Sequence, residues 1–186
     1  MGNTYDQIDS ALEHFIRAQR VFFVATAPLN PGGRINLSPK GLDTLRVLDP
    51  HTLAYLDHVG SGAETIAHLR ENGRIVVMLC AFEGPPRIVR LHGRGEVFEP
   101  PDQRFDQLRG LFAAEPRARS IIRIAIDRIS DSCGYGVPLF AFERDRSQLR
   151  DWAARKGEQG LAEYQTAMNR VSIDGLPALR WPEGST

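Results

Sequence analysis

From Val21 to Ile129 the chain is a succession of short strand-like segments separated by turn clusters. Val21–Ala27 is β-branched and aromatic and reads as a buried strand. Pro28-Leu-Asn-Pro-Gly-Gly33 is a turn, and Arg34–Ser38 a second strand halted by Pro39. Leu45–Asp49 and Thr52–Asp57 flank an Asp-Pro turn as a hairpin, and Arg74–Phe82 and Arg87–Glu99 flank Glu83-Gly-Pro-Pro86. Ser120–Ile129 alternates Ile122, Ile124 and Ile126 with Arg123, Ala125 and Asp127, the pattern of a half-buried strand. Strands joined by turns this short pair antiparallel, which predicts an antiparallel sheet or barrel with helices outside it.

The helices come from a different period. Ile8, Leu12, Phe15 and Ile16 form one apolar stripe in a predicted helix over Thr4–Arg20. Ala63–Asn72 is a short helix closed by Gly73, and Asp102–Ala114 carries Phe105, Leu108 and Phe112 on one side. Ser147–Lys156 and Leu161–Arg170 read as two final helices split by Gly157 and Gly160. Residues 1–145 are therefore expected to form the body of one domain, and residues 146–186 a helical extension of it.

Composition narrows the function class. A chain of 186 residues with 42% hydrophobic and 25% charged residues suits a single globular domain and excludes a disordered or collagen-like one. Lys plus Arg equals Asp plus Glu at 23 each, against the basic surplus of a nucleic-acid binder. No apolar run reaches bilayer length, and Met1–Arg20 has no signal-peptide core, so neither membrane nor nucleic-acid partners are expected. Two cysteines, Cys80 and Cys133, without C-x-x-C spacing fit a reduced, cytoplasmic setting. The histidines have no metal-ligand spacing, and no metal site is predicted.

Four segments carry candidate chemistry. In Gly60-Ser61-Gly62-Ala-Glu64-Thr65 a strand runs into a helix start, where Ser61 and Glu64 match a capping box. The same geometry suits phosphate, with free N–H groups, hydroxyls on Ser61 and Thr65, and Gly62 permitting close approach. Ser38-Pro-Lys40-Gly41 sets at a strand end the first lysine of a chain whose next is Lys156. In Arg87–Gly95, strand parity puts Ile88, Arg90, His92 and Arg94 on one face and Arg87, Val89 and Leu91 on the other, with Gly93 and Gly95 pointing to a bulge or to a close approach by another backbone or a ligand. Asp131-Ser-Cys-Gly-Tyr-Gly-Val-Pro138 presents Tyr135 between glycines, either to border a planar ligand or as a plain tight loop with Cys133 buried. Each segment also has a plain reading as a capped helix, a solvated turn or an exposed cationic strand.

In this order the pieces resemble the flavin-binding split-barrel family that includes pyridoxamine 5′-phosphate oxidase. The resemblance runs from about Ala11 to Val97, on Phe22-Phe-Val-Ala-Thr26, Asn36-Leu-Ser-Pro-Lys-Gly41, Leu53-Ala-Tyr-Leu-Asp57 with Gly60-Ser61, Asn72-Gly-Arg74 and Arg87-Ile-Val-Arg-Leu-His-Gly93. Ser-Pro-Lys-Gly, Gly-Ser-Gly-x-Glu-Thr and Cys-Gly-Tyr-Gly-Val-Pro together point to a related branch rather than to the oxidase itself. The resemblance implies a mainly β, six-stranded antiparallel split barrel with peripheral helices, a homodimer, and FMN in a cleft between subunits. It implies that Ser38 and Lys40 line the isoalloxazine, that Ser61, Gly62 and Thr65 hold the phosphate, and that Arg90, with Arg87 and Tyr135, completes the cofactor site. It departs from the oxidase where Glu64-Thr65 replaces an Arg-Lys pair, where Ile88 replaces a glutamine, and where no Arg-x-His element occurs near Trp181.

The function expected from this is an FMN-dependent oxidoreductase acting on a small molecule, with Tyr135 and His92 as candidate proton donors. Alternatives on the same fold are a deazaflavin-dependent enzyme or flavin reductase, or a non-catalytic flavin or haem binder with His58, His68 or His92 as axial ligand. The tail is expected to pack across the cofactor cleft.

Overall fold

The computed structural model describes residues 2–113 and 118–181. Its framework is one antiparallel sheet of eight strands: β1 (Thr4–Tyr5), β2 (Phe22–Thr26), β3 (Asn36–Lys40), β4 (Leu45–Asp49), β5 (Thr52–His58), β6 (Arg74–Cys80), β7 (Ile88–Phe98) and β8 (Ala118–Ser132). Along the sheet the order is β3-β2-β6-β7-β8-β5-β4, with β1 added to β8. Among the described residues four helices lie around it: α1 (Ser10–Ala18), α2 (Glu64–Asn72), α3 (Gln103–Arg109) and α4 (Gln148–Met168). The sheet has two more strands than the six expected, within the predicted antiparallel class. One face of the sheet encloses the main core, where Val24, Leu53, Tyr55, Val77, Leu91, Ile122 and Ile124 are fully buried.

The differences from the sequence reading have local causes. Thr4–Tyr5 is a strand rather than helix, pairing with Ser130 and Ile129, because α1 starts only after Asp9, whose carboxylate accepts from the Leu12 N–H at 2.7 Å. Pro39 does not stop β3. It sits opposite Phe23 on the free edge of the sheet, where a residue without an N–H is tolerated. The two tail helices run together as α4, broken by the non-helical φ of 65° at Gly157 but not at Gly160. The predicted end of the third helix, Ala114, lies outside the described residues.

Strand β8 is longer than predicted and irregular at both ends. Its register with β7 shifts between His92 and Gly93, leaving Asp127 unmatched. Side chains alternate along a regular strand, so Ile126 and Ile129 would face opposite sides. The extra residue lets both join the main core. Gly93 faces this point, where the backbones approach closely. At the other end the β5–β8 register shifts between Asp57 and His58, leaving Arg119 unmatched beside Ser120.

The tail packs on its own chain. Ala153 and Leu161 of α4 enclose Val59, and Ala178 and Leu179 cover Ala63, Ile66 and Ala67 at α2. The Asn169 side-chain amide donates to the Gly60 carbonyl at 2.8 Å. No helix among the described residues is long and apolar enough to cross a membrane.

Candidate functional site

The chemistry concentrates where β3, β5 and the start of α2 meet. Asn36, Ser38 and Lys40 lie opposite Thr26, Val24 and Phe22, so their side chains share the core-facing side of the sheet. Lys40 Nζ reaches the buried Asp57 carboxylate at 2.7 Å, and Arg119 Nε reaches its other oxygen at 2.7 Å. The bulge in β8 gives Arg119 this aim, since in strict alternation it would face away from its neighbour Ser120, whose hydroxyl stands 3.5 Å from the same carboxylate. Burial pushes the Asp57 carboxyl up, but the Arg119 and Lys40 charges and hydrogen bonds outweigh it and hold the group well below the usual carboxylate value. Asp57 is thus an anion flanked by two cations, and the cluster carries a net positive charge.

A hydrogen-bond chain runs beside it. The Ser38 hydroxyl donates to the Asn36 side-chain Oδ1 at 2.9 Å, and Asn36 Nδ2 donates to the Thr65 hydroxyl at 2.9 Å and to the Thr26 hydroxyl at 3.3 Å. The Thr26 hydroxyl meets His68 Nδ1 at 2.9 Å. His68 is fully buried, and burial lowers its pKa, favouring the neutral ring. The Tyr55 hydroxyl, also fully buried, lacks a partner of good hydrogen-bond geometry. Burial, then the Asp57 charge, push Tyr55 well above the ordinary phenol value, so it stays a proton donor.

The expected capping box is not formed. Helix α2 begins after Ala63, and no side chain caps it, so its first N–H groups remain available. Ser61 is exposed and makes no side-chain hydrogen bond to the described residues. The Glu64 carboxylate folds back over Gly62 and accepts from the Ile173 N–H at 3.3 Å. The Gly60 carbonyl, held by Asn169 and by Arg119 at 3.4 Å, anchors the turn before this helix.

The candidate residues separate into groups. Ser38, Lys40 and Thr65 converge on this corner, with Ser61 and Gly62 at the helix start beside it. Arg90 lies on the other side of the sheet, because its neighbours Val89 and Leu91 are the core-facing residues, and it donates to Ser132 Oγ at 3.1 Å. Arg87 shares the core-facing parity but is held at the sheet's far end, donating to the Tyr5 hydroxyl at 2.8 Å and pairing with Asp131 at 3.2 Å. Tyr135 is 82% exposed and borders no part of this corner. Cys133 is exposed rather than buried as its plain reading had it, and both cysteines are free.

Asp57, Asn36, Arg119 and Asn169 were not singled out from sequence. Asp57 and Asn36 lay inside the quoted strand motifs. Arg119 and Asn169 join the corner only through a bulge and a packed tail, which leave no local signature.

A model of the family described as pyridoxamine 5′-phosphate oxidase matches residues 8–133. The chain is 38% identical over 194 aligned residues to the pyridoxamine 5′-phosphate oxidase family protein ustO of Aspergillus flavus, covering 94% of this chain and 77% of that one. Among solved structures, HupZ of Group A Streptococcus shares the fold at 21% identity and a TM-score of 0.51, over 66% of this chain and 91% of that chain. A pyridoxamine 5′-phosphate oxidase-like protein of Lactobacillus delbrueckii shares it at 17% identity and a TM-score of 0.51, over 68% and 97%. With a matched segment that spans every strand from β2 to β8, the chain belongs to the pyridoxamine 5′-phosphate oxidase family.

Proposed function

We propose that this protein binds FMN at the corner between β3 and α2 and acts as an oxidoreductase on a small molecule. The observation that carries the reading is a set of donors at that corner without protein partners among the described residues. The start of α2 has no side-chain cap, the Ser61 hydroxyl is unengaged, and the Tyr55 hydroxyl is buried without a good partner. Such donors suit a phosphate and the polar edge of a flavin. Bound flavin would supply hydride or electron transfer, and the protein orientation and charge. Ser61, Gly62 and Thr65 hold the phosphate in this reading. Ser38 and Lys40 line the ring, with Asp57 and Arg119 fixing the lysine.

Arg90 enters through a second copy. Lys40 and Arg90 occupy opposite faces of one sheet, so a single chain does not present both to one flavin. The outer face around Arg90 also carries half-buried Phe23 and Met78, with Leu37 64% exposed on the neighbouring edge strand. An apolar face of this kind suits a homodimer contact that brings Arg90 to the cofactor of its partner. The free thiols of Cys80 and Cys133 suit a reducing, cytoplasmic compartment.

The test is an absorbance spectrum followed by FMN titration of the purified protein. Lys40→Ala and Arg90→Ala are each expected to weaken FMN by about tenfold, the size of one lost charge-assisted contact. Glu64→Gln is expected to tighten it, since the Glu64 carboxylate competes with a phosphate for the same helix start. No flavin binding, or three variants that bind like the parent, refutes the assignment. Truncation after residue 145 removes the Asn169 bond to Gly60 and the cover over Val59. Flavin retention should fall with it, and full flavin content with an unchanged sedimentation profile would show that the tail has no part in the site.

A further inference from the structure

A second pocket, of about 410 Å³, opens where α1 hands over to β2. Its walls include Arg20, Val21, Phe82, Glu83, Phe140 and Phe142. The aromatic wall is built rather than loose. The Phe140 N–H donates to the Phe82 carbonyl at 2.9 Å, and the Phe142 N–H donates to Glu83 Oε1 at 2.9 Å. The Phe82 and Phe140 rings lie 5.6 Å apart at a 35° tilt. Phe140 and Phe142 remain 61% and 44% exposed, so these rings are poorly covered by their own chain.

Arg20 supplies the polar element. Its guanidinium stacks over the Phe142 ring at 5.0 Å. No hydrogen bond or ion pair to the described residues engages it. Stacking on an aromatic face holds the plane of the group while leaving its N–H fork open, an arrangement that matches a carboxylate. Glu83 is the acidic residue of the lining, and one of its oxygens is occupied by the Phe142 N–H.

We propose that this pocket binds a planar aromatic carboxylate, with its rings against the three phenylalanines and its carboxylate on Arg20. The volume lies within the ordinary range for small-molecule sites, and a few polar groups among aromatic walls is their usual chemistry. Val21 lines both this pocket and the groove beside Lys40. An aromatic acid held here would therefore lie next to the proposed flavin corner, as the substrate or part of it. That role rests on the flavin reading, whereas the binding itself does not.

The experiment is calorimetric titration of flavin-free protein with 2-naphthoate and with neutral 2-naphthamide. The acid should bind with one site per chain and about tenfold more tightly than the amide. Arg20→Gln should remove that preference. Phe142→Ala should weaken both ligands, and Glu83→Gln, which keeps the acceptor for Phe142, should tighten the acid by a few fold. Equal affinity for acid and amide, no saturable binding, or an Arg20→Gln variant that binds the acid unchanged overturns the proposal. So does a result in which Phe142→Ala shifts the sedimentation profile and leaves ligand binding intact, because the aromatic wall then belongs to a contact between copies. Naphthoate binding without FMN affinity retains the pocket and removes the flavin reading, and the reverse result does the opposite.

Discussion

Asp57→Asn is expected to cost about 3–5 kcal/mol, the usual penalty for removing one partner of a buried ion pair. Asp57 is fully buried and Arg119 is 5% exposed, so the neutral amide leaves a guanidinium with little solvent to replace its counter-charge. For a domain of this size the thermal midpoint should fall by about 10 °C. Asp57→Asn combined with Arg119→Met should recover part of the loss, because the stranded charge is then gone as well. Lys40→Met alone should cost less, since Lys40 is the more exposed partner and Arg119 still pairs. An Asp57→Asn protein as stable as the parent would dismiss the ion cluster as an organising element.

The same carboxylate gives a pH dependence of fixed sign. Its folded pKa lies below the unfolded value, so the folded state favours the ionised form. The resulting stability is complete above the ordinary carboxylate range and is lost as pH falls below it toward the depressed folded value. Acid unfolding of the parent should therefore be steeper than that of the Asp57→Asn, Arg119→Met protein, and equal slopes would remove Asp57 from the acid transition.

Gly93→Ala is the second large effect. A methyl group there would stand 2.1 Å from the Ala125 carbonyl oxygen and 2.9 Å from its carbon, both backbone atoms of β8. Relief requires the β7–β8 pairing to move, at the point where the register shift aligns Ile126 and Ile129 with the core. The cost should exceed about 3 kcal/mol. Gly110→Ala is the matched control, with φ of −63° and nothing within 4 Å, and it should be neutral or slightly stabilising. Denaturant midpoints of the two variants provide the check, and a Gly93→Ala midpoint no lower than that of Gly110→Ala would contradict the close approach.

Strand and helix identities were legible because they depend on period and on nearby turn residues. Helix α2 ends at Gly73 in the left-handed conformation, and the parity that separates Arg87 from Arg90 holds along β7. The misreadings share a cause in long-range pairing. Thr4–Tyr5 is a strand because β8 supplies a partner, and Pro39 is accommodated because β3 has a free side. Within the candidate site, Lys40, Ser38 and Thr65 stood out by residue type and neighbours. Arg119 did not, because a register shift decided by the β5–β8 pairing sets its direction. The capping-box pattern of Ser61 and Glu64 misled for a related reason, as the carboxylate turns instead to the tail at Ile173.

Pro39 also bears on how this molecule resists self-assembly. An outer strand with an unbroken row of backbone donors and acceptors is a template for another chain to extend the sheet. On β3 that row is broken by a residue with no N–H, two positions from the exposed Leu37. The sticky side chains are thus retained while cross-strand growth is obstructed. In the proposed homodimer copies meet across the flat of the sheet and stop at a closed pair, whereas an uninterrupted β3 would invite open-ended fibres.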